Sequence, residues 1–143
     1  TRIAEFLLEH PMVEQVYYPA LKHHHGHDIQ KRQSSGNTGI FSFRMTDARY
    51  VAPILQHIRL ISFAESLGGV ESLMTYPAVQ THADIPEEIR RRIGVDERLL
   101  RLSVGIEHVD DLIEDLRRAF DRARQEIEGG TIHVGPAQAG CAR

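Results

Sequence analysis

Apolar positions along the chain switch between a helical and a strand period, and each switch marks an element. Ile3, Phe6 and Leu7 fall at helical spacing before Pro11 forces a stop. This opening segment carries no N-cap signal of its own, so residues 1–10 read as the end of a longer connecting helix. Residues 13–18 are rich in β-branched and aromatic side chains and closed by Pro19, which predicts a short strand. A polar helix over 28–33 and a Ser/Gly/Asn turn follow, leading into a strand over 39–44. Asp47 is a good capping residue, and Ala48, Val51, Ala52, Leu55 and Ile58 then recur on one face of a helix over 47–57.

The apolar strand over 60–63 runs straight into Glu65, Ser66, Leu67, Gly68 and Gly69, where paired glycines permit turns and close approaches that other residues forbid. Pro86, Glu87 and Glu88 at one end, with Arg90 to Arg92 and Gly94 at the other, describe a short helix matched to its own dipole. These charges read as solvated helix ends rather than as an acid/base pair. A strand over 99–104 precedes a long helix whose apolar stripe is Val109, Leu112, Ile113, Leu116, Ala119, Phe120 and Ala123. From Gly129 onward Gly, Pro and Ala dominate without period, so 127–143 is expected to be a flexible tail after a single α/β domain over 11–126. Four short strands with intervening helices, too short for several right-handed crossovers, predict an α+β fold. Its sheet should be small, antiparallel or mixed, of about four strands, with helices on one face.

Composition narrows the function classes. The formal net charge of -3 gives no basic excess to attract nucleic acid or anionic lipid. No apolar run approaches the ~20 residues of a membrane span, and no signal-peptide pattern opens the chain, so a cytoplasmic protein is expected. The single cysteine, Cys141, excludes an intrachain disulfide and a thiolate metal cluster.

Candidate chemistry concentrates in Leu99-Leu100-Arg101-Leu102-Ser103-Val104. Alternation puts Leu100, Leu102 and Val104 on one face and Leu99, Arg101 and Ser103 on the other, so Arg101 points away from the helix-covered face. A planar guanidinium held among apolar neighbours grips a carboxylate with two parallel hydrogen bonds. On the strand alone, either a ligand carboxylate or a structural pair with one of the twenty Asp and Glu side chains satisfies it.

Two segments carry a family resemblance. One is Ala64-Glu65-Ser66-Leu67-Gly68-Gly69-Val70-Glu71-Ser72-Leu73, with Tyr76-Pro77-Ala78 and Thr81-His82-Ala83 behind it; the other is Leu100-Arg101-Leu102-Ser103-Val104-Gly105-Ile106-Glu107. Together they resemble the trans-sulfuration family of Cys/Met metabolism: cystathionine γ-synthase, cystathionine β- and γ-lyase and methionine γ-lyase. Weaker similarity reaches back to His10-Pro11 and Tyr17-Tyr18-Pro19, so the resemblance covers about residues 9–120.

The resemblance implies the C-terminal small domain of a fold-type I pyridoxal 5'-phosphate enzyme, a homotetramer acting on carbon–sulfur bonds of amino acids. It implies three substrate-binding residues: Arg101 on the α-carboxylate, Ser66 beside that carboxylate, and Glu65 facing the substrate side chain. The stretches 75–82 and 105–108 look most like γ-synthases, with β- and γ-lyase as the alternative. Such an enzyme also needs a Schiff-base lysine. The only two lysines, Lys22 and Lys31, do not occupy the family's context for it. No catalytic or cofactor-binding residue is therefore expected within these 143 residues, and an N-terminal cofactor domain is the expected partner.

The remaining candidates have plainer explanations. His23, His24, His25 and His27 are potential metal ligands, but they lie in a polar connection without supporting groups and read as a solvated loop. Phe41 and Phe43 read as packing residues, and Thr81 with His82 as a loop-stabilising pair. A reading of another class, a stand-alone binding or assembly module that has lost chemistry, stays open at this stage.

Overall fold

The computed structural model describes residues 1–129. In chain order the elements are α1 (Arg2–Leu8), β1 (Val13–Tyr17), α2 (His27–Gln33), β2 (Ile40–Met45), α3 (Val51–His57), β3 (Ser62–Phe63), β4 (Leu73–Thr75), α4 (Glu87–Arg92), β5 (Leu99–Ser103) and α5 (Val109–Gly129). Thr1 stands at the N-cap of α1 but makes no side-chain capping bond. Asp47 does cap its helix, accepting from the Arg49 N–H at 2.9 Å and starting a 3-10 turn, Ala48–Tyr50, that leads into α3. Gly94 ends α4 at φ +85°, the left-handed conformation that glycine adopts without a Cβ clash.

The strands form one mixed sheet in the order β1-β2-β5-β4-β3, antiparallel except for the β3–β4 pair. Alternation sends Phe41, Phe43 and Met45 of β2 and Leu100 and Leu102 of β5 to one face, where they are buried with Leu7 of α1, Ile54 of α3 and Leu112, Leu116, Ala119, Phe120 and Ala123 of α5. The expected apolar stripe of the last helix is this packing surface. Helices α2 and α4 bury no residue.

The α+β class stands, with corrections to its details. The sheet has five strands rather than about four. The additional strand, β4, is three residues long and buried at every position, so it shows none of the alternation that signals a strand. Helix α5 runs to Gly129, which makes the first three residues of the expected 127–143 tail helical. Residues 130–143 of that tail lie outside the described residues.

Asp115, on α5 and only 3% exposed, accepts hydrogen bonds from the backbone N–H groups of Arg59, Leu60 and Ile61 at 2.9–3.2 Å. It satisfies three successive backbone N–H groups between α3 and β3, of which only that of buried Ile61 lies in a fully buried bond. The sheet face opposite the core helices carries no long helix. The connections around β4 and α4 flank it, and the candidate site lies there.

Candidate functional site

Across that open face runs a row set by register: Tyr17 pairs with Ser42, Ser42 with Arg101, and Arg101 with Thr75. Arg101 is half-buried at the centre of the row. Its Nη2 donates to the Glu65 carbonyl at 2.7 Å and to the Thr75 hydroxyl oxygen at 3.0 Å. Its Nε is buried with no hydrogen-bond partner. Among the described residues, no Asp or Glu oxygen forms an ion pair with Arg101. The guanidinium is aligned by neutral oxygens and keeps its charge uncompensated.

The segment 64–72, between β3 and β4, is tied down along its length. At its start the Ala64 N–H donates to the Met74 carbonyl at 3.0 Å and the Thr75 hydroxyl donates to the Ala64 carbonyl at 2.8 Å. In its middle the Gly68 N–H donates to the Ser103 hydroxyl oxygen at 2.8 Å, with Gly68 at φ +74°. At its end the Ile106 N–H donates to the Val70 carbonyl at 2.9 Å. Gly105 is what allows this last approach, because a Cβ there would stand 2.2 Å from the Val70 oxygen.

Just beyond, the Glu107 carboxylate accepts from both the Ser72 N–H and the Ser72 hydroxyl at 2.7 Å, and the Ser72 oxygen accepts from the Gly105 N–H at 2.9 Å. Burial acts to raise the Glu107 carboxyl, but the hydrogen bonds from Ser72 and from its own backbone outweigh it and hold the group below its ordinary value.

Of the three sequence-derived site residues, Arg101 and Glu65 are brought together, but through the Glu65 main-chain oxygen. The side chains of Glu65 and Ser66 are exposed on the same pinned segment. Sequence reasoning assigned no role to Thr75, Ser103, Ser72 or Glu107. The signal for Thr75 and Ser103 was strand register: Thr75 pairs with Arg101, and Ser103 alternates with it on β5.

The other candidates stand apart from this site. Lys22 and Lys31 are both exposed and lie in the β1–β2 connection, outside the 64–72 segment and β5. The His24 and His25 rings stack at 4.4 Å, while His27 Nδ1 meets the Pro19 carbonyl at 2.9 Å. Among the described residues no three His, Cys, Asp or Glu side chains gather as a metal site, and no described helix is long and apolar enough to cross a membrane. Thr81 and His82 bond to each other at 2.7 Å, Glu87 pairs with Arg91, and Phe41 and Phe43 are core residues.

Comparison with known proteins bears on the whole arrangement. The family model described as Cys/Met metabolism PLP-dependent enzyme matches residues 1–121. Cystathionine beta-lyase of Lactococcus lactis subsp. cremoris is 48% identical over 121 residues, which are 85% of this chain and 32% of that protein. Cystathionine gamma-synthase/O-acetylhomoserine (thiol)-lyase of Bacillus subtilis (strain 168) is 47% identical over 123 residues, 86% of this chain and 29% of that protein. Among solved structures, cystathionine gamma-lyase from Lactobacillus plantarum, complexed with L-serine, matches with a TM-score of 0.82 at 38% identity, over 86% of this chain and 32% of that one. The chain spans about a third of the length of the curated relatives it matches. With most of its sequence and its fold accounted for in this way, the chain belongs to the Cys/Met metabolism family of pyridoxal-phosphate-dependent enzymes.

Proposed function

We propose that these residues form the substrate-carboxylate-binding part of a trans-sulfuration enzyme that makes or breaks a carbon–sulfur bond of an amino acid. One observation carries the reading: Arg101 lies on the open sheet face with a buried, unpartnered Nε and no acidic partner among the described residues. An arginine with its charge uncompensated and donors left over accepts an incoming carboxylate through charge-assisted hydrogen bonds. Glu65 O and Thr75 Oγ1 hold the guanidinium plane, so its free donors are aimed before the ligand arrives. On this reading exposed Ser66, which follows the residue whose carbonyl Arg101 grips, adds a hydrogen bond to the same carboxylate, and the exposed Glu65 side chain meets the variable part of the substrate.

The residues present do not make a site for the cofactor itself. A Schiff-base lysine must reach the reacting carbon, whereas Lys22 and Lys31 are exposed in the connection between β1 and β2. The reading therefore gives these residues binding and orientation, and assigns the lysine and phosphate contacts to other parts of the working enzyme. Holding the α-carboxylate fixes rotation about the Cα–N bond, and so selects which substituent is presented for reaction.

Within the family, γ-replacement is our first reading, supported by the synthase-like stretches 75–82 and 105–108. The 48% identity to a cystathionine beta-lyase favours β-elimination as the second. A full-length protein containing these residues should be assayed with O-acetylhomoserine plus cysteine, with cystathionine, and with methionine. Cystathionine formation from the first pair is the expected result. Pyruvate release from cystathionine would replace it with β-elimination, and binding without turnover of any of the three would overturn the enzymatic reading in favour of a binding module.

A further inference from the structure

The segment that carries Glu65 and Ser66 is held by something other than the residues that face the substrate. Segment 64–72 must lie over β5 for Arg101 to reach the Glu65 carbonyl, and its far end is fixed by Ser72 and Glu107. A glutamate carboxylate that accepts from both the N–H and the hydroxyl of one serine holds that residue in position and in rotation. The same serine oxygen accepts from the Gly105 N–H at 2.9 Å, and the next amide, Ile106 N–H, takes the Val70 carbonyl at 2.9 Å. Four hydrogen bonds within three residues on each side thus join the end of the segment to the exit of β5, the strand that carries Arg101. Gly105 lets the two backbones meet, since a side chain there would collide with the Val70 carbonyl.

No other acidic side chain bonds to Ser72, and Glu107 forms no ion pair among the described residues. Its carboxylate therefore serves this junction alone. It lies on the β5–α5 connection, so any shift of it moves the segment relative to Arg101 rather than moving both together.

We propose that Glu107, acting through Ser72, is a positioning residue for the substrate α-carboxylate: it sets the register of segment 64–72 against Arg101 and so sets how well the carboxylate is held. This inference rests on the carboxylate-binding reading of Arg101.

The test uses two inert ligands that differ only in the carboxylate, L-norleucine and n-pentylamine. Each is titrated by calorimetry into the cofactor-loaded full-length protein. The readout is the affinity ratio of amino acid to amine, which isolates the carboxylate contribution and does not depend on turnover. Glu107→Gln and Ser72→Ala are each expected to lower the ratio by roughly tenfold, the scale of loss expected from displacing a binding group by a fraction of an ångström. Ile3→Val, in buried α1 packing on the opposite face, is the stability control and should leave the ratio as it is.

An unchanged ratio in both Glu107→Gln and Ser72→Ala, or an equal fall in Ile3→Val, overturns the inference. Arg101→Ala separates this from failure of the underlying reading. If that variant keeps the wild-type ratio, Arg101 does not hold the carboxylate. If it abolishes the preference while Glu107→Gln and Ser72→Ala do not alter it, only the positioning role falls.

Discussion

The Thr75 hydroxyl stands between two groups that the site depends on, donating to the Ala64 carbonyl at 2.8 Å and accepting from Arg101 Nη2 at 3.0 Å. Thr75 is 1% exposed, so neither partner has water as a substitute on that side. The hydroxyl thus links the first residue of the pinned segment to the guanidinium. Thr75→Val keeps the shape and removes the hydroxyl, leaving a part-buried carbonyl and one arginine N–H short of a partner. The expected loss is about 1–3 kcal/mol of unfolding free energy. A denaturant midpoint equal to that of the parent protein would contradict this.

Gly105→Ala tests the close approach between β5 and the segment. The new methyl would sit 2.2 Å from the Val70 carbonyl and 2.6 Å from the Glu71 backbone, and backbone cannot swing aside as a flexible side chain does. Destabilisation of about 1–3 kcal/mol or more is expected from such overpacking. Gly36→Ala is the natural contrast, because a Cβ there meets nothing within 4 Å. Similar midpoints for the two variants would show that the approach is not tight in solution.

Asp115→Ala removes an acceptor from three consecutive backbone N–H groups ahead of β3. Each amide left unsatisfied costs about 1–3 kcal/mol if no water replaces the carboxylate, so a loss at the upper end of single-substitution effects is expected. Hydrogen exchange at Leu60 and Ile61 should accelerate more than exchange in β2. Equal protection at all these amides would rule out the capping role.

His10 makes part of the stability pH-dependent. Its ring lies 4.5 Å from Phe120 and 5.7 Å from Phe6, and its Nδ1 accepts from the Met12 N–H at 3.2 Å. Burial, with help from Arg124 and Arg117 and against Asp121, holds its pKa below the ordinary 6.5. The unfolded chain then binds the proton more readily than the folded one. The contribution is complete above 6.5 and is lost as pH falls through and below it. His10→Gln should therefore show a smaller drop in midpoint between pH 7.5 and pH 5.5 than the parent. Parallel pH profiles would remove His10 as the cause.

Much of this could be read from sequence because the relevant signals are local. Alternation in 99–104 placed Arg101 opposite Leu100 and Leu102, and the paired β5 strand puts it there. Asp47 and Gly94 marked helix ends by conformational chemistry that acts within a few residues. What escaped was non-local. Leu73, Met74 and Thr75 are buried on both faces of an interior strand, which erases the period that would have revealed it. The Ser72–Glu107 link joins residues 35 apart in sequence and has no pattern of its own. Asp115 carries no sequence signal, because only the turn packed beside it supplies the three amides it accepts from. Glu65 was read through its side chain, whereas Arg101 takes its carbonyl, a group every residue has.

The role proposed for Arg101, holding a substrate carboxylate, is measured most directly by kcat/KM of Arg101→Ala in the full-length, cofactor-loaded protein with the best of the three proposed substrates. Losing a charge-assisted, partly buried hydrogen-bond pair is expected to cost about 2–4 kcal/mol of transition-state stabilisation, a fall of roughly thirty-fold to a thousand-fold. A value within twofold of the parent, with the variant folded, would contradict the account.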